Sequence, residues 1–273
     1  MNESGSGQDG PRVSIVVPAY NERESIVSFL DRLLESVTLP CEVLVVYDDE
    51  NDSTRSCAEQ YAQKDSRVRP TLNTYGRGPA PAIRFGFDHA RAGVVVVTMA
   101  DGSDDPRQLD ELVYLVERGV VVAAASRYMP GGQQVGGRKV KSLLSRTAGR
   151  TLHWFAGVGT RDATNSFKAY DKAFVRAVGI DSDTAFEIGI ELTAKATRLR
   201  RPVAEIPTIW LERQQGTSNF QVLSWVRLRR CAHHGIPRTT VAMTATAGSG
   251  LVVGPPAIAA ASQPPVVAIT DAA

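Results

Sequence analysis

Three observations predict an α/β protein with a mostly parallel sheet and helices on both faces. The four valines at 94–97 form an uninterrupted apolar run, which is typical of a strand buried on both faces. Short apolar runs alternate with amphipathic stretches from Val13 to Ala125, the pattern of parallel strands joined by helices. Polar and acidic residues follow directly after several of these runs, at the edge where such sheets bind ligands.

Length and composition fit one large α/β domain or two small ones. Of the 273 residues, 43% are hydrophobic and 22% are charged, which is ordinary for a globular protein. The formal net charge of +2 gives no strong field that would recruit nucleic acid. Three cysteines lack metal-ligand spacing and indicate buried thiols in a reducing compartment; they are Cys41, Cys57 and Cys231.

We expect a folded domain over residues 13–230, flanked by two less regular segments. Residues 1–12 are polar, rich in glycine and serine, and lack the apolar core of a signal peptide, so they predict a disordered arm. Residues 231–273 predict a flexible low-complexity tail, with a loosely membrane-associated tail as the alternative. No run reaches the roughly 18–20 apolar residues that a membrane-spanning helix needs.

The first half of the chain predicts five strands that alternate with helices. The strands are expected at 13–17, 41–47, 68–72, 94–97 and 120–125. The first helix is expected to begin at residue 21, the second to end at about residue 64, the third to span 81–92 and the fourth to begin at residue 106. Pro18 is expected to end the first strand, and Asn21 to form a capping box with Glu24. Asp105 is expected to cap a helix that has Pro106 at its first position.

The pattern is less regular after Arg127. Glycines at 131–132 and 136–137 predict a long mobile loop. The remaining expected elements are helices at 141–156 and 186–197, strands at 166–170 and 203–211, a loop at 213–220 and a basic segment at 221–230.

The acidic run after the fourth strand carries the strongest functional signal of the residues alone. Asp101 lies just beyond the four valines, and Asp104 and Asp105 follow it. Ligands bind beyond the carboxyl ends of the strands in open α/β sheets. A carboxylate there can hold a divalent cation, which in turn can hold a diphosphate. The sequence therefore predicts a metal-assisted diphosphate site at Asp101.

Five short motifs add a resemblance to a known family. They are the run 13–22, the pair Asp48 and Asp49, the stretch 76–84, the triplet 126–128, and Arg213 with Gly216 and Ser218. In this order they resemble family-2 glycosyltransferases with the GT-A fold, a Rossmann-like arrangement. Within that family they look most like the branch of dolichyl-phosphate and polyprenyl-phosphate mannosyl- or glucosyltransferases.

The resemblance implies a GDP- or UDP-linked sugar donor and a Mg²⁺ or Mn²⁺ cofactor. The matching donor positions are Pro18, Tyr20, Glu22, Asp49, Arg84, Asp101 and Ser103. Of these, Asp101 and Ser103 match metal positions. The family usually presents Asp-x-Asp here, but Met99 stands at the first position. Metal binding is thus expected to depend on Asp101 with Ser103 and water, and Asp104 is a further candidate.

The resemblance also implies inverting sugar transfer to a polyprenyl phosphate at a membrane surface. Arg127, Lys141 and Ser145 match positions that contact the acceptor phosphate, and Lys141 replaces an arginine often found there. Arg213 matches a residue that closes over the donor phosphates, on a glycine-containing loop suited to a lid. The candidate catalytic residues are Asp101, Arg127, Asp162 and Arg213.

The acceptor stays open at this point. A lipid phosphate is already anionic and needs cations to position it, whereas a saccharide hydroxyl needs a general base. Asp162 is the candidate for that base, and it can equally orient the acceptor loop. A third hypothesis is a catalytically weak nucleotide-sugar-binding protein, in which Met99 marks a decayed metal site.

The segment 138–155 mixes basic residues with leucines and aromatic residues. It predicts either a helix lying in a membrane interface or a core-packed helix with a basic face. We expect a cytoplasmic protein at the inner face of the cell membrane, and no oligomeric state follows from the sequence.

Overall fold

The structure is a computed structural model that describes residues 10–23, 25–136, 159–183 and 185–211. Its strands are β1 Val13–Ala19, β2 Cys41–Tyr47, β3 Val68–Leu72, β4 Val94–Val97, β5 Val122–Ser126, β6 Gln133–Val135, β7 Lys168–Asp171, β8 Val203–Pro207 and β9 Ile209–Leu211. Its helices are α1 Ser25–Ser36, α2 Ser53–Lys64, α3 Pro79–His89, α4 Leu109–Glu117, α5 Lys172–Val178 and α6 Ala185–Arg198.

Among the described residues, seven strands form one sheet in the order β3-β2-β1-β4-β7-β5-β8, and β6 pairs with β9 in a separate two-stranded sheet. Every pairing in the large sheet is parallel except those of β7, which lies antiparallel between β4 and β5. The predicted mostly parallel sheet is therefore confirmed. β7 matches the strand expected at 166–170, but its direction was not foreseen.

Apolar side chains cover both faces of the sheet. Within β1, Ile15 and Val17 pack in one core cluster with residues of α1 and α4. Val16 points to the opposite cluster, with residues of α3 and α6. This alternation follows from the two-residue period of a strand, and it explains why the buried strands are almost continuously apolar.

β1 runs through Pro18 to Ala19, so the prediction that Pro18 ends this strand is wrong. The pairing with β4 reaches only Val16, whose carbonyl accepts a hydrogen bond from Thr98 N at 3.2 Å. Pro18 lies two residues further along the same side of β1, beyond the end of β4. Its missing N–H therefore costs no ladder hydrogen bond, while the pairing with β2 continues.

The predicted capping box at Asn21 is also wrong. α1 begins at Ser25, four residues later, and Glu24 lies outside the described residues. Asn21 has a φ of 55°, and its side-chain oxygen accepts from the Ser53 hydroxyl at 3.4 Å. Asn21 thus connects the end of β1 to the start of α2 instead of capping α1.

The region around the 131–132 glycines is more ordered than the predicted mobile loop. β6 lies within it and pairs with β9. A side-chain carbon at Gly132 would meet Ser126 O at 2.4 Å, so the turn requires glycine there. The strand expected at 203–211 is divided at Thr208, whose N–H donates to Ser126 O.

The other element predictions are confirmed with shifted ends. α3 begins two residues earlier than expected, and β5 begins at Val122. Asp105 does act as a cap, on the short 3₁₀ turn Pro106–Gln108 that precedes α4. The expected helix at 141–156, the segments after residue 211 and the first nine residues lie outside the described residues. In the described part of the chain, no helix combines the length and apolarity needed to cross a membrane.

Candidate active site

The candidate site lies at the edge where β1, β2 and β4 end, because parallel neighbours place their carboxyl ends together. Two backbone N–H groups of the loop after β1 donate to side chains at the start of α2. Asn21 N donates to Asp52 Oδ1 and Glu22 N donates to Thr54 Oγ1, both at 3.0 Å. Tyr20 stands next to them with 62% of its surface exposed, whereas Pro18 is buried within the sheet.

The two aspartates after β2 have different partners. Asp48 accepts hydrogen bonds from Asn73 Nδ2 at 2.8 Å and from Gly78 N at 2.6 Å. Gly78 has a φ of 108°, a conformation that favours glycine, so Asp48 fixes the turn into α3. Asp49 forms a 2.6 Å ion pair with the exposed Arg77. Asp49, the predicted donor contact, therefore lies toward solvent beside this turn.

Asp101 stands at the tip of the loop after β4. Its Oδ1 accepts a hydrogen bond from Ser103 N at 3.0 Å, and the side chain is half-buried. Gly102 turns the chain with a φ of 70°, and its carbonyl accepts from Arg32 at 3.0 Å. Ser103 is 3% exposed, and its hydroxyl oxygen has no hydrogen-bond partner among the described residues.

Asp104 closes the base of the same loop. Its Oδ2 accepts from Thr98 Oγ1 at 2.9 Å, and it accepts from the backbone N–H of Met99. Burial and the neighbouring charge of Asp101 raise the pKa of Asp104 to about 7. Two carboxylates therefore share this loop, although Met99 replaces the aspartate usual at its own position.

Asp104→Asn is expected to gain stability relative to the wild type as the pH rises. A carboxyl group whose pKa is raised from 3.8 to about 7 in the folded state loses stabilisation between those pH values. The amide removes that loss while keeping an acceptor for Thr98. Thermal unfolding measures the Tm of the variant minus the Tm of the wild type. This difference should be several degrees larger at pH 8 than at pH 5. A difference that does not change with pH would contradict the assignment.

Arg127 and Asp162 form a buried bidentate ion pair. Arg127 Nε lies 2.6 Å from Asp162 Oδ2 and Nη2 lies 2.8 Å from Oδ1; the side chains are 11% and 0% exposed. The rings of Tyr128 and Trp210 contact the guanidinium, with centroids 5.0 and 5.7 Å from its carbon. The sequence predicted both charged residues as catalytic, and the structure brings them together.

This pairing does not suit Asp162 as a general base. Both carboxylate oxygens accept hydrogen bonds, from Arg127 and, at 3.1 Å, from Thr164 Oγ1. Burial alone would raise the pKa of Asp162, but the hydrogen bonds and charge of Arg127 hold it below its ordinary value. A base needs a free oxygen within reach of a substrate proton. The geometry instead favours the alternative in which Asp162 orients its loop.

The described residues can hold a hard divalent cation jointly with a diphosphate. Asp101 supplies a carboxylate, and the orphaned Ser103 hydroxyl supplies a second oxygen close by in the same loop. Within residues 10–211 as described, no group of three His, Cys, Asp or Glu side chains forms a self-sufficient metal cage. Mg²⁺ usually binds few protein ligands and completes its coordination with substrate phosphates and water. The two oxygen donors of Asp101 and Ser103 therefore fit this cation.

The other predicted site residues do not all meet at this edge. Arg84 lies within α3, where it contacts the Ser182 carbonyl and Asp183, and its donor role stays a prediction. Glu22 Oε2 accepts from the Ser25 hydroxyl. Lys141, Ser145 and Arg213 lie outside the described residues.

Several residues that organise the site had no role assigned from the sequence, although Asp48 belongs to one of the five motifs. Asp48 and Thr98 shape its loops, Trp210 contacts Arg127, and Lys168 is completely buried beneath the 160–166 turn. Lys168 left one signal, a charged residue inside the apolar stretch Phe167–Tyr170. The contacts of Asp48 and Trp210 join positions 25 or more residues apart, and local patterns do not show such contacts.

A parallel sheet with an acidic loop beyond β4 is the architecture of a GT-A glycosyltransferase. The model of the family described as "Glycosyl transferase family 2" matches residues 14–179, so the chain belongs to this family of glycosyltransferases. The predicted family is thereby confirmed.

Curated relatives place the chain near enzymes of lipid-linked sugar chemistry. It is 30% identical to a polyprenol monophosphomannose synthase of Mycolicibacterium smegmatis over 259 residues, covering 86% of this chain and 97% of the relative. It is also 30% identical to an undecaprenyl-phosphate mannosyltransferase of Micrococcus luteus over 215 residues, covering 77% and 87%.

Solved structures of glycosyltransferases share the fold at lower identity. A glucosyl-3-phosphoglycerate synthase from Mycobacterium tuberculosis, in complex with Mn²⁺, UDP and glucosyl-3-phosphoglycerate, has a TM-score of 0.58 at 16% identity, covering 81% of this chain and 77% of that one. A mannosyltransferase from Pyrobaculum calidifontis, in complex with GDP-mannose and Mn²⁺, has a TM-score of 0.54 at 22% identity, covering 81% and 61%. They confirm the predicted GT-A fold.

Proposed function

We propose that the chain is an inverting glycosyltransferase that moves mannose or glucose from a GDP- or UDP-linked donor to a polyprenyl phosphate. The names of the two relatives that the chain spans almost fully support this acceptor class. The observation that carries the proposal is the bidentate ion pair, in which Arg127 donates to both carboxylate oxygens of Asp162. The candidate base is occupied, while a buried, rigidly held cation stands at the end of β5, and this suits an acceptor that is already an anion.

The chemistry needs no proton removal at the acceptor. A phosphate oxygen attacks the anomeric carbon, and the bond from that carbon to the donor diphosphate breaks. The bonding electrons leave with the nucleoside diphosphate, and attack from the opposite face inverts the configuration. Asp101 and Ser103 would hold Mg²⁺ or Mn²⁺, which supplies positive charge against the developing charge of the leaving group.

The chain's own residues orient the two substrates. Thr98 and Asp104 hold the loop that presents Asp101, and Asp48 holds the turn before α3 beside the donor edge. Arg127 is fixed by Asp162 and positions the acceptor phosphate. Further donor contacts proposed from the resemblance are Pro18, Tyr20, Glu22, Asp49 and Arg84, with Arg213 closing over the donor phosphates. Further contacts to the acceptor phosphate are Lys141 and Ser145.

A lipid acceptor also implies work at a membrane surface. We propose a peripheral protein at the inner face of the cell membrane, consistent with the absence of a spanning helix in the described residues. Sedimentation with vesicles that contain polyprenyl phosphate, compared with vesicles that lack it, measures this association.

A transfer assay tests the function directly. GDP-mannose and UDP-glucose should each be offered with polyprenyl phosphate or with a simple saccharide, with and without Mn²⁺. We expect metal-dependent transfer from one donor to the lipid phosphate and none to the saccharide. Preferred transfer to the saccharide would overturn the acceptor assignment. Tight nucleotide binding without transfer or donor hydrolysis would support the weak-binding-protein hypothesis based on Met99.

A further inference from the structure

Lys168 is a fully buried cation between the two halves of the candidate site. β7 lies between the strand that leads to Asp101 and the strand that leads to Arg127. Lys168 is in register with Val97 of β4 on one side and Ala124 of β5 on the other. Its exposed fraction is 0%, which is rare for lysine unless its charge has partners.

The partners of its ammonium group belong to the turn that carries Asp162. Lys168 Nζ donates to Ala163 O at 3.1 Å and to Asn165 O. Asn165 in turn donates from its side chain to Ala125 O at 2.9 Å. Lys168 therefore anchors the backbone carbonyls one and three residues after Asp162, in the turn whose carboxylate pairs with Arg127.

The local charge balance also involves Lys168. Among the described residues, the carboxylates of Asp162 and Asp104 and the guanidinium of Arg127 act on the Lys168 ammonium. Desolvation lowers the pKa of Lys168 to about 8, while the charges of Asp162 and Asp104 act in the opposite direction. Replacing Lys168 by a neutral residue would remove positive charge beside Asp162, so the acceptor phosphate held next to that residue would bind less well.

We propose that Lys168 is a positioning residue for the acceptor phosphate. It fixes the turn that holds Asp162, and through Asp162 it fixes the guanidinium of Arg127, while its charge offsets the surrounding carboxylates. The inference depends on the proposed function, because it names the phosphate of that acceptor.

Lys168→Met tests this role against a matched control. Lys172 is another of the buried lysines in the described part of the chain, and its ammonium donates to the Ala90 carbonyl at the other end of β7. We expect Lys168→Met to raise the KM for a short-chain prenyl phosphate about tenfold and the donor KM less than about twofold. Lys172→Met should change neither KM by more than about twofold.

Gly189→Ala keeps the lysine and tests the same contact if Lys168→Met does not fold. A side-chain carbon at Gly189 would lie 3.2 Å from Lys168 Nζ, tight enough to displace the ammonium. Alanine is favoured over glycine inside a helix by about 1 kcal/mol, so this variant of α6 should keep its Tm. We expect a selective rise in the prenyl phosphate KM of about threefold.

The outcomes separate the inference from the function on which it depends. Wild-type protein that transfers no sugar to prenyl phosphate overturns both. If the wild type does transfer sugar, two results overturn the positioning role alone. One is an equal effect of Lys168→Met and Lys172→Met, and the other is an equal change in the donor and acceptor KM. A selective acceptor effect in Lys168→Met, or in Gly189→Ala at unchanged Tm, supports it.

Discussion

Asp101→Asn should lower kcat/KM for metal-dependent sugar transfer by about 10³-fold, the scale of losing a principal electrostatic stabiliser of a leaving group. The amide can still accept the hydrogen bond from Ser103 N, now at 3.0 Å, so the loop should keep its shape. The negative charge that attracts the cation is lost, and Met99 supplies no substitute. Steady-state kinetics across a Mn²⁺ series measure the effect.

Asp105→Asn is the matched control in the same loop. Asp105 caps the 3₁₀ turn and pairs with the exposed Arg107 at 2.8 Å, and asparagine is a good cap. Its activity should stay within about twofold of the wild type, since an exposed ion pair contributes little. Equal losses in both variants, or full activity of Asp101→Asn, would remove Asp101 from its assigned role.

Asp162→Ala should destabilise the fold by about 3–5 kcal/mol, because it leaves Arg127 as a buried charge without its partner. The Arg127 side chain is 11% exposed, so water cannot replace the lost carboxylate. For a domain of this size the Tm should fall by about 10 °C. Thermal unfolding, followed by circular dichroism, gives the value.

A double-mutant cycle separates the pair from its parts. Arg127→Leu combined with Asp162→Ala removes both charges, and the double variant should recover much of the stability lost in Asp162→Ala. It should still fail to use prenyl phosphate, since it lacks the cation that we propose positions the acceptor. A Tm for Asp162→Ala equal to that of the wild type would mean that the ion pair is not buried as described.

The fold could be predicted largely from local patterns. The valines of β4 and the cap at Asp105 are local signals, and both are confirmed. The predictions for Pro18 and Asn21 were wrong because they depend on tertiary contacts. Pro18 can continue β1 because β4 ends earlier, and Asn21 contacts the start of α2. The antiparallel insertion of β7 is likewise a tertiary choice, since a strand's sequence does not specify its direction.

The residues of the candidate site could be predicted better than the contacts between them. Asp101 could be inferred from its position after a buried strand, and Arg127 and Asp162 from the resemblance. Their pairing joins positions 35 residues apart, and it favours an orienting role for Asp162 over the base role that the sequence left open. Lys168 required the structure, because only the fold places its ammonium beneath the turn that carries Asp162.

Anomalous diffraction from crystals soaked with Mn²⁺ and GDP or UDP would test the central claim most directly. We predict one manganese peak within bonding distance of the Asp101 carboxylate, shared with the diphosphate oxygens and next to the Ser103 hydroxyl. A nucleotide bound at another edge of the sheet, or manganese bound away from Asp101, would contradict the account.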